Sequence, residues 1–273
     1  MANRTTAGSG DPSPRNGSSG RPSSPTGLPI ASAPSDSSSR PATSSRAPYS
    51  KRARRRARRG TSGQRLFAFD RRLGVPLVAG ADEAGRGCLA GPLVAAGVLF
   101  DYDRLTTREL RALGALNDSK QHTALAREEL YPLVLSTAVR VMVVSRCVSG
   151  IDSFGLHKTN LAALRDAIRG VTSGVEGEVE CLIDGFAVPE FERAQRPIVN
   201  GDATSAAIAA ASIVAKVTRD RYMHHADELH PGWSFAEHMG YSTPVHREAI
   251  LSQGVSPLHR MSFQSSAYAQ LAL

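Results

Sequence analysis

Two short apolar runs, residues 77–81 and 93–100, flank the glycine-rich segment DEAGRGCLAGP, and this arrangement constrains the fold more than any other feature of the chain. Runs of that length bounded by Gly and Pro read as buried strands, and so short a connection lets them pair antiparallel. Downstream, helical spacing covers 106–113 and 124–138, and a Val-rich strand follows at 139–147. A helix at 156–168, strands at 178–183 and 197–200, and a long Ala-rich helix at 203–229 complete the alternation. The pattern predicts an α/β domain with a mixed central sheet flanked by helices, followed by a helical C-terminal region.

Nothing comparable precedes it. Residues 1–63 are rich in Ser, Pro, Gly, Thr, Ala and Arg, and they cannot bury enough surface to offset the entropy of ordering. They are predicted to form a disordered tail, with apolar patterning beginning near Leu73 and a single domain over 64–273. Of 33 basic and 25 acidic residues, 12 and 2 fall within 1–60, which leaves 21 and 23 for the rest. The net charge of +8 therefore belongs to the tail. Its run KRARRRARR at 51–59 either holds phosphates through counterion release or is a solvated charge run without a selected partner; both readings stand.

Cys88, Cys147 and Cys181 each lie in or beside an apolar segment and are expected to be buried reduced thiols. No CxxC pair or His-rich spacing suggests zinc. The chain has no apolar stretch of spanning length and no signal-peptide core, so a cytoplasmic protein is expected.

The chemistry lies in the carboxylates. Asp82 and Glu83 are adjacent acids where a strand meets a Gly-rich turn, Asp184 ends another strand before Gly185, and Asp202 opens the long helix. Singly, Asp184 reads as a turn residue and Asp202 as an N-cap contributing about 1 kcal/mol. Their order and settings say more. VAGADEAGRGCLAGPLVAA, NDSK at 117–120, CLIDG around Asp184, NGD ending at Asp202, AAASIVAKVTRDR at 209–221, HMGY at 238–241 and GVSPLHRMSF at 254–263 together resemble ribonuclease HII.

That resemblance implies a ribonuclease H-like fold in which Asp82, Glu83, Asp184 and Asp202 converge and hold Mg²⁺ or Mn²⁺, two ions acting together on the scissile phosphate. Two carboxylates about 4 Å apart repel by about 4 kcal/mol at an effective dielectric of 20, so converging acids need cations or protons to coexist. All-oxygen ligation favours the hard divalent ions over zinc. It further implies that Gly85, Arg86 and Gly87 contact the 2′-hydroxyl that tells RNA from DNA, that Tyr241 stacks on the following deoxyribose, and that Ser119 and Lys120 touch phosphates. Lys216 shares a helix face with Ser212 and Asp220, and with Arg219 and Arg221 it is expected to make a positive groove. Met239 stands where the family's usual HKGY has Lys. His238, His246 and His259 are expected to hold loops.

The implied activity is endonucleolytic: cleavage of the RNA strand of RNA/DNA hybrids, and cleavage 5′ of single ribonucleotides in duplex DNA, leaving 5′-phosphate and 3′-hydroxyl ends, in ribonucleotide removal during replication and repair. The alternatives are a ribonuclease HIII-like hybrid nuclease, another metal-dependent phosphoesterase, and an inactive nucleic-acid-binding homologue. A monomer without membrane contact is expected, and the C-terminal Gln270, Leu271, Ala272 and Leu273 weakly resemble part of a sliding-clamp ligand.

Overall fold

The structure, a computed structural model, describes residues 61–263 and 266–269. The tail to residue 60, its basic run and residues 270–273 lie outside the described residues. Helix α1 (Ser62–Arg71) precedes strands β1 (Leu77–Ala84) and β2 (Leu93–Asp101); α2 (Thr107–Ala112) and α3 (Ala124–Thr137) lead to β3 (Arg140–Arg146). Helices α4 (Val148–Phe154) and α5 (Leu156–Thr172) lead to β4 (Val179–Asp184) and β5 (Gln195–Ile198). The long α6 (Ala206–Leu229) is followed by α7 (Phe235–His238), α8 (Pro244–Gln253) and α9 (Ser266–Ala269). No described helix is long and apolar enough to cross a membrane.

One sheet runs β3-β2-β1-β4-β5. β1 pairs antiparallel with β2, as the short Gly-rich connection predicts, and parallel with β4. Alternation along β1 sends Val78 into the core beneath α6 with Ala207 and Ile208, and sends Ala79 and Ala81 into the core beneath α5 with Ala163 and Ala167. Both helices come very close. A Cβ on Gly80 would overlap the Ala207 backbone, and one on Gly97 would overlap the Ala167 carbonyl, so glycine at these two positions sets how near the helices lie to the sheet.

The folded region begins before the expected boundary. Thr61, Ser62 and Gly63, assigned to the tail, start α1, where Thr61 and Gln64 form a capping box and Leu66 and Phe67 enter the core. The helix looks polar because its inward face carries Asp70, whose Oδ2 accepts from the Tyr102 hydroxyl at 2.6 Å and from the Ala207 amide at 3.0 Å. Burial pushes this carboxyl up to about 6. A carboxyl raised in the folded state contributes stability that is fully present below its unfolded value near 3.8 and is lost as pH rises through about 6. Asp70→Asn keeps the acceptor and removes the charge. Its stability relative to wild type is therefore expected to improve by about 2 kcal/mol between pH 4 and pH 7, measured by urea unfolding at both; parallel pH profiles would rule this out.

Two further expectations are corrected. Cys88 and Cys181 are buried, but Cys147 is exposed, because it caps α4 at the end of the edge strand β3. Asp202 does not cap the long helix: it sits in a separate 3-10 turn, Gly201–Ala203, and the Ser205 side chain accepts from the Ile208 amide instead.

Candidate active site

Asp82 and Glu83 are neighbours inside β1, paired with Ala96 and Ala95, and not in the turn beyond it. Strand alternation therefore points them to opposite faces of the sheet. Asp82 faces α6, with Ser212 close to it, and Glu83 faces α5, with Asn160 close to it. Asp184, at the end of β4 next to β1, accepts from the Gly201 amide through Oδ1 at 2.7 Å. That bond ties it to the turn carrying Asp202, and Gly201 has room for no side chain because a Cβ would press on Ile208 and on Asp184 itself.

The charges are poorly balanced. Burial, then Glu83 and Asp184, hold the Asp82 carboxyl well above the usual carboxylate range. Burial raises Glu83 too, opposed by Arg86, whose guanidinium lies 3.7 Å away. Asp202 is pushed up to about 6 by burial and by Asp118, opposed by Lys120 at 3.9 Å. Burial works against the Lys120 ammonium, yet Asp202, Asp82, Asp118 and Asp184 together raise it.

Asp82, Glu83 and Asp184 line one cavity of about 320 Å³ with the Gly85–Arg86–Gly87 turn, Ser119, Lys120, Lys216 and Tyr241. Asp202 is joined to this group through Lys120 but does not form its wall. No three acidic, His or Cys side chains among the described residues are already closed into a metal-holding cluster. The donor set nonetheless fits a hard cation: several carboxylates, buried, mutually repelling and incompletely neutralised by Arg86 and Lys120.

The turn is built from both sides. Gly85 has φ +86°, and a Cβ there would overlap Arg219. The Arg86 carbonyl is turned inward to accept from Arg260 Nη1 at 3.0 Å, while the Arg86 and Gly87 amides make no hydrogen bond among the described residues. Gly87 faces open space. Tyr241 is 42% exposed, with Lys216 Nζ at 5.7 Å and the Arg219 guanidinium at 6.0 Å from its ring.

The expected cluster of Lys216, Arg219 and Arg221 separates. Lys216 reaches the cavity and bonds Asp220 at 2.6 Å; Arg221 turns away to Glu128; Arg219 is fully buried and donates to the carbonyls of Pro92, Ala90 and Met239. Ser119 is buried and its hydroxyl meets that of Ser212 at 2.8 Å, so it supports α6 as well as lining the cavity. Met239 sits at φ +50° and packs against the small core around Phe235. Sequence reasoning missed Asn160 and Arg260, and it took Arg219 for a groove residue where the structure buries it as a brace. Polar residues within apolar helical spacing, or in a loop motif such as PLHR, were the only signal.

Comparison with known proteins gives this geometry its setting. The ribonuclease HII family model matches residues 79–266. A ribonuclease HII from Rhodococcus erythropolis is 44% identical over 202 residues, covering 74% of this chain and 86% of the relative. Among solved structures, the ribonuclease H2 from Pyrococcus horikoshii superposes with a TM-score of 0.56 at 26% identity, covering 72% of this chain and 98% of that one. The ribonuclease HII of Archaeoglobus fulgidus, solved in complex with PCNA, gives 0.55 at 28% identity, covering 69% and 96%. The fold is thus ribonuclease H-like, and this chain belongs to the ribonuclease HII family of nucleic-acid-cleaving, divalent-metal-dependent endonucleases.

Proposed function

We propose that this chain hydrolyses the RNA strand of RNA/DNA hybrids and cuts 5′ of single ribonucleotides embedded in duplex DNA, in the service of ribonucleotide removal. The observation that carries this reading is one cavity shared by Asp82, Glu83, Asp184, the Gly85–Arg86–Gly87 turn and Tyr241. Asp82, Glu83 and Asp184 would hold Mg²⁺ or Mn²⁺, with Asp202 completing the set by turning its side chain from Lys120. When bound there, two such ions would activate the attacking water and stabilise the leaving 3′-oxygen, giving 5′-phosphate and 3′-hydroxyl ends.

The protein's own part is placement. The free amides of Arg86 and Gly87 are suited to meet the 2′-hydroxyl, and the carbonyl between them is held out of the way by Arg260. Tyr241 offers its exposed ring to the next sugar. Lys120 and Lys216 line the same cavity and offer positive charge to the phosphates, with Ser119 in the same wall. The two acids project from opposite faces of β1 within a paired strand, which fixes their separation more firmly than a loop could.

Cleavage should be compared on an all-DNA duplex, one with a single ribonucleotide, and a long RNA/DNA hybrid, with Mg²⁺ or Mn²⁺. Expected is incision 5′ of the single ribonucleotide and within the hybrid, and none of the DNA duplex. Cutting of hybrid alone would favour the ribonuclease HIII-like reading; no cutting of any substrate would favour an inactive binding homologue.

Gly87 gives a sharper test, because its backbone is ordinary and its Cβ position is empty. Gly87→Ala should leave unfolding free energy within about 0.5 kcal/mol of wild type. Cleavage at a single ribonucleotide should nevertheless fall by about tenfold or more, since the methyl stands where the sugar must approach. Undiminished kcat/KM would remove the turn from substrate recognition. The PCNA complex of the Archaeoglobus protein makes clamp contact through residues 270–273 a reading to test by deleting them and measuring clamp binding.

A further inference from the structure

Three imidazoles are buried together beyond the cavity, with no part in the chemistry above. His238, His246 and His259 lie under Phe235, the rings of His238 and His246 stacked with centroids 4.1 Å apart and those of His246 and His259 5.2 Å apart. Clustered histidines suggest a metal site, but all six ring nitrogens are engaged with protein groups, so no lone pair is left for an ion.

The partners fix the tautomers. The Ser256 amide can only donate, so His259 Nδ1 accepts from it at 2.8 Å and the His259 proton sits on Nε2. That N–H donates to His246 Nε2 at 3.1 Å, which leaves the His246 proton on Nδ1, where it donates to the Tyr241 carbonyl at 2.9 Å. His238 runs alongside. The Trp233 carbonyl can only accept, so His238 Nε2 donates to it at 2.7 Å and Nδ1 accepts from the Gly240 amide at 3.1 Å. Both sets of bonds end on the Gly240–Tyr241 segment.

We propose that His259 and His246 are positioning residues for substrate discrimination, forming a one-directional hydrogen-bond relay from Ser256 to the Tyr241 backbone that sets where the Tyr241 ring stands at the cavity. The inference rests on the reading of Tyr241 as the ring that meets the sugar after the ribonucleotide. A relay of this kind works only with both rings neutral, since a second proton on either would set two N–H groups against each other. Burial keeps them so, pushing both down to about 4. The backbone of Tyr241 has other anchors, its amide donating to the His238 carbonyl and its carbonyl also accepting from the Thr243 amide. Loss of His246 should therefore displace the ring without releasing the loop.

The test compares wild type, Tyr241→Ala, His246→Leu and His246→Asn on the single-ribonucleotide duplex and the long hybrid. The readout is the ratio of the two kcat/KM values. His246→Leu should lower that ratio about tenfold, chiefly through KM on the single-ribonucleotide substrate. His246→Asn, whose side-chain amide can donate from the place of Nδ1, should restore the ratio to within about threefold of wild type. If Tyr241→Ala lowers the ratio but His246→Leu weakens both substrates equally, or His246→Asn does no better than His246→Leu, the relay is overturned and the reading of Tyr241 stands. A wild-type ratio in Tyr241→Ala overturns that reading and the relay with it. Long-range ¹H–¹⁵N correlation of the imidazoles in the wild-type protein provides a check that depends on no variant folding. Nδ1–H for His246 and Nε2–H for His259 at neutral pH support the relay, and any other protonation pattern overturns it.

Discussion

Asp184→Asn should lower kcat on every cleavable duplex by about a thousandfold, about 4 kcal/mol of transition-state stabilisation, while leaving the fold intact and more stable without divalent ions. The amide keeps the carbonyl oxygen that receives the Gly201 amide, so the tie between β4 and the turn bearing Asp202 survives. What it loses is a charge. Asp82 is raised by Asp184 as well as by burial and Glu83, so removing one of three neighbouring acids relieves repulsion on the order of 1 to 2 kcal/mol. Added Mg²⁺ or Mn²⁺ should raise the melting midpoint of wild type, because an ion that binds only the folded state stabilises it by mass action. The variant should respond less. Wild-type turnover by Asp184→Asn, or an equal midpoint gain from metal in both proteins, would contradict the assignment of Asp184 as a ligand.

That contrast separates what can be read from the chain from what cannot. Asp82 and Glu83 were legible because their signal is local, two acids at the end of an apolar run beside glycines. Their divergence onto two helices was not, since it follows from β1 running three residues farther than its apolar run and pairing with Ala95 and Ala96. Asp202, read as the opening of the long helix, lies in a separate turn, because Ser205, three residues on, supplies the same capping chemistry. Helix α1 was hidden for a different reason. Its buried Asp70 looks like a surface residue until Ala207, 137 positions away, is seen to donate to it. Cys147 looked buried among valines because nothing local marks β3 as an edge strand. Where a side chain's role is set by a partner far along the chain, periodicity carries no trace of it.

Arg219 is the extreme case, and its replacement should have the largest effect on stability. It is fully buried, and its guanidinium donates to the carbonyls of Pro92 at 3.0 Å, Ala90 at 3.1 Å and Met239 at 2.9 Å. The first two partners lie 127 and 129 residues away in the chain. Gly85 is closed against its side chain on one side, and the Tyr241 ring lies over it on another. One planar fork thus joins the turn that would read the 2′-hydroxyl, the entry to β2, and the loop that carries the aromatic ring. Arg219→Met fills much of the space but strands three buried carbonyls. It is expected to cost about 3 kcal/mol or more in urea unfolding and to reduce cleavage at a single ribonucleotide further than the stability loss explains. Arg219→Lys should recover little, because an ammonium on a flexible stem cannot serve three acceptors arranged for a planar group. Arg260, which donates to the Gly91 and Arg86 carbonyls, braces the same layer from the C-terminal side, so Arg219→Met combined with Arg260→Met should be less costly than the sum of the two. A strictly additive double variant, or Arg219→Met with wild-type stability, would mean that the turn and the Tyr241 loop are held independently, and discrimination by the two would then have to be explained without a common brace.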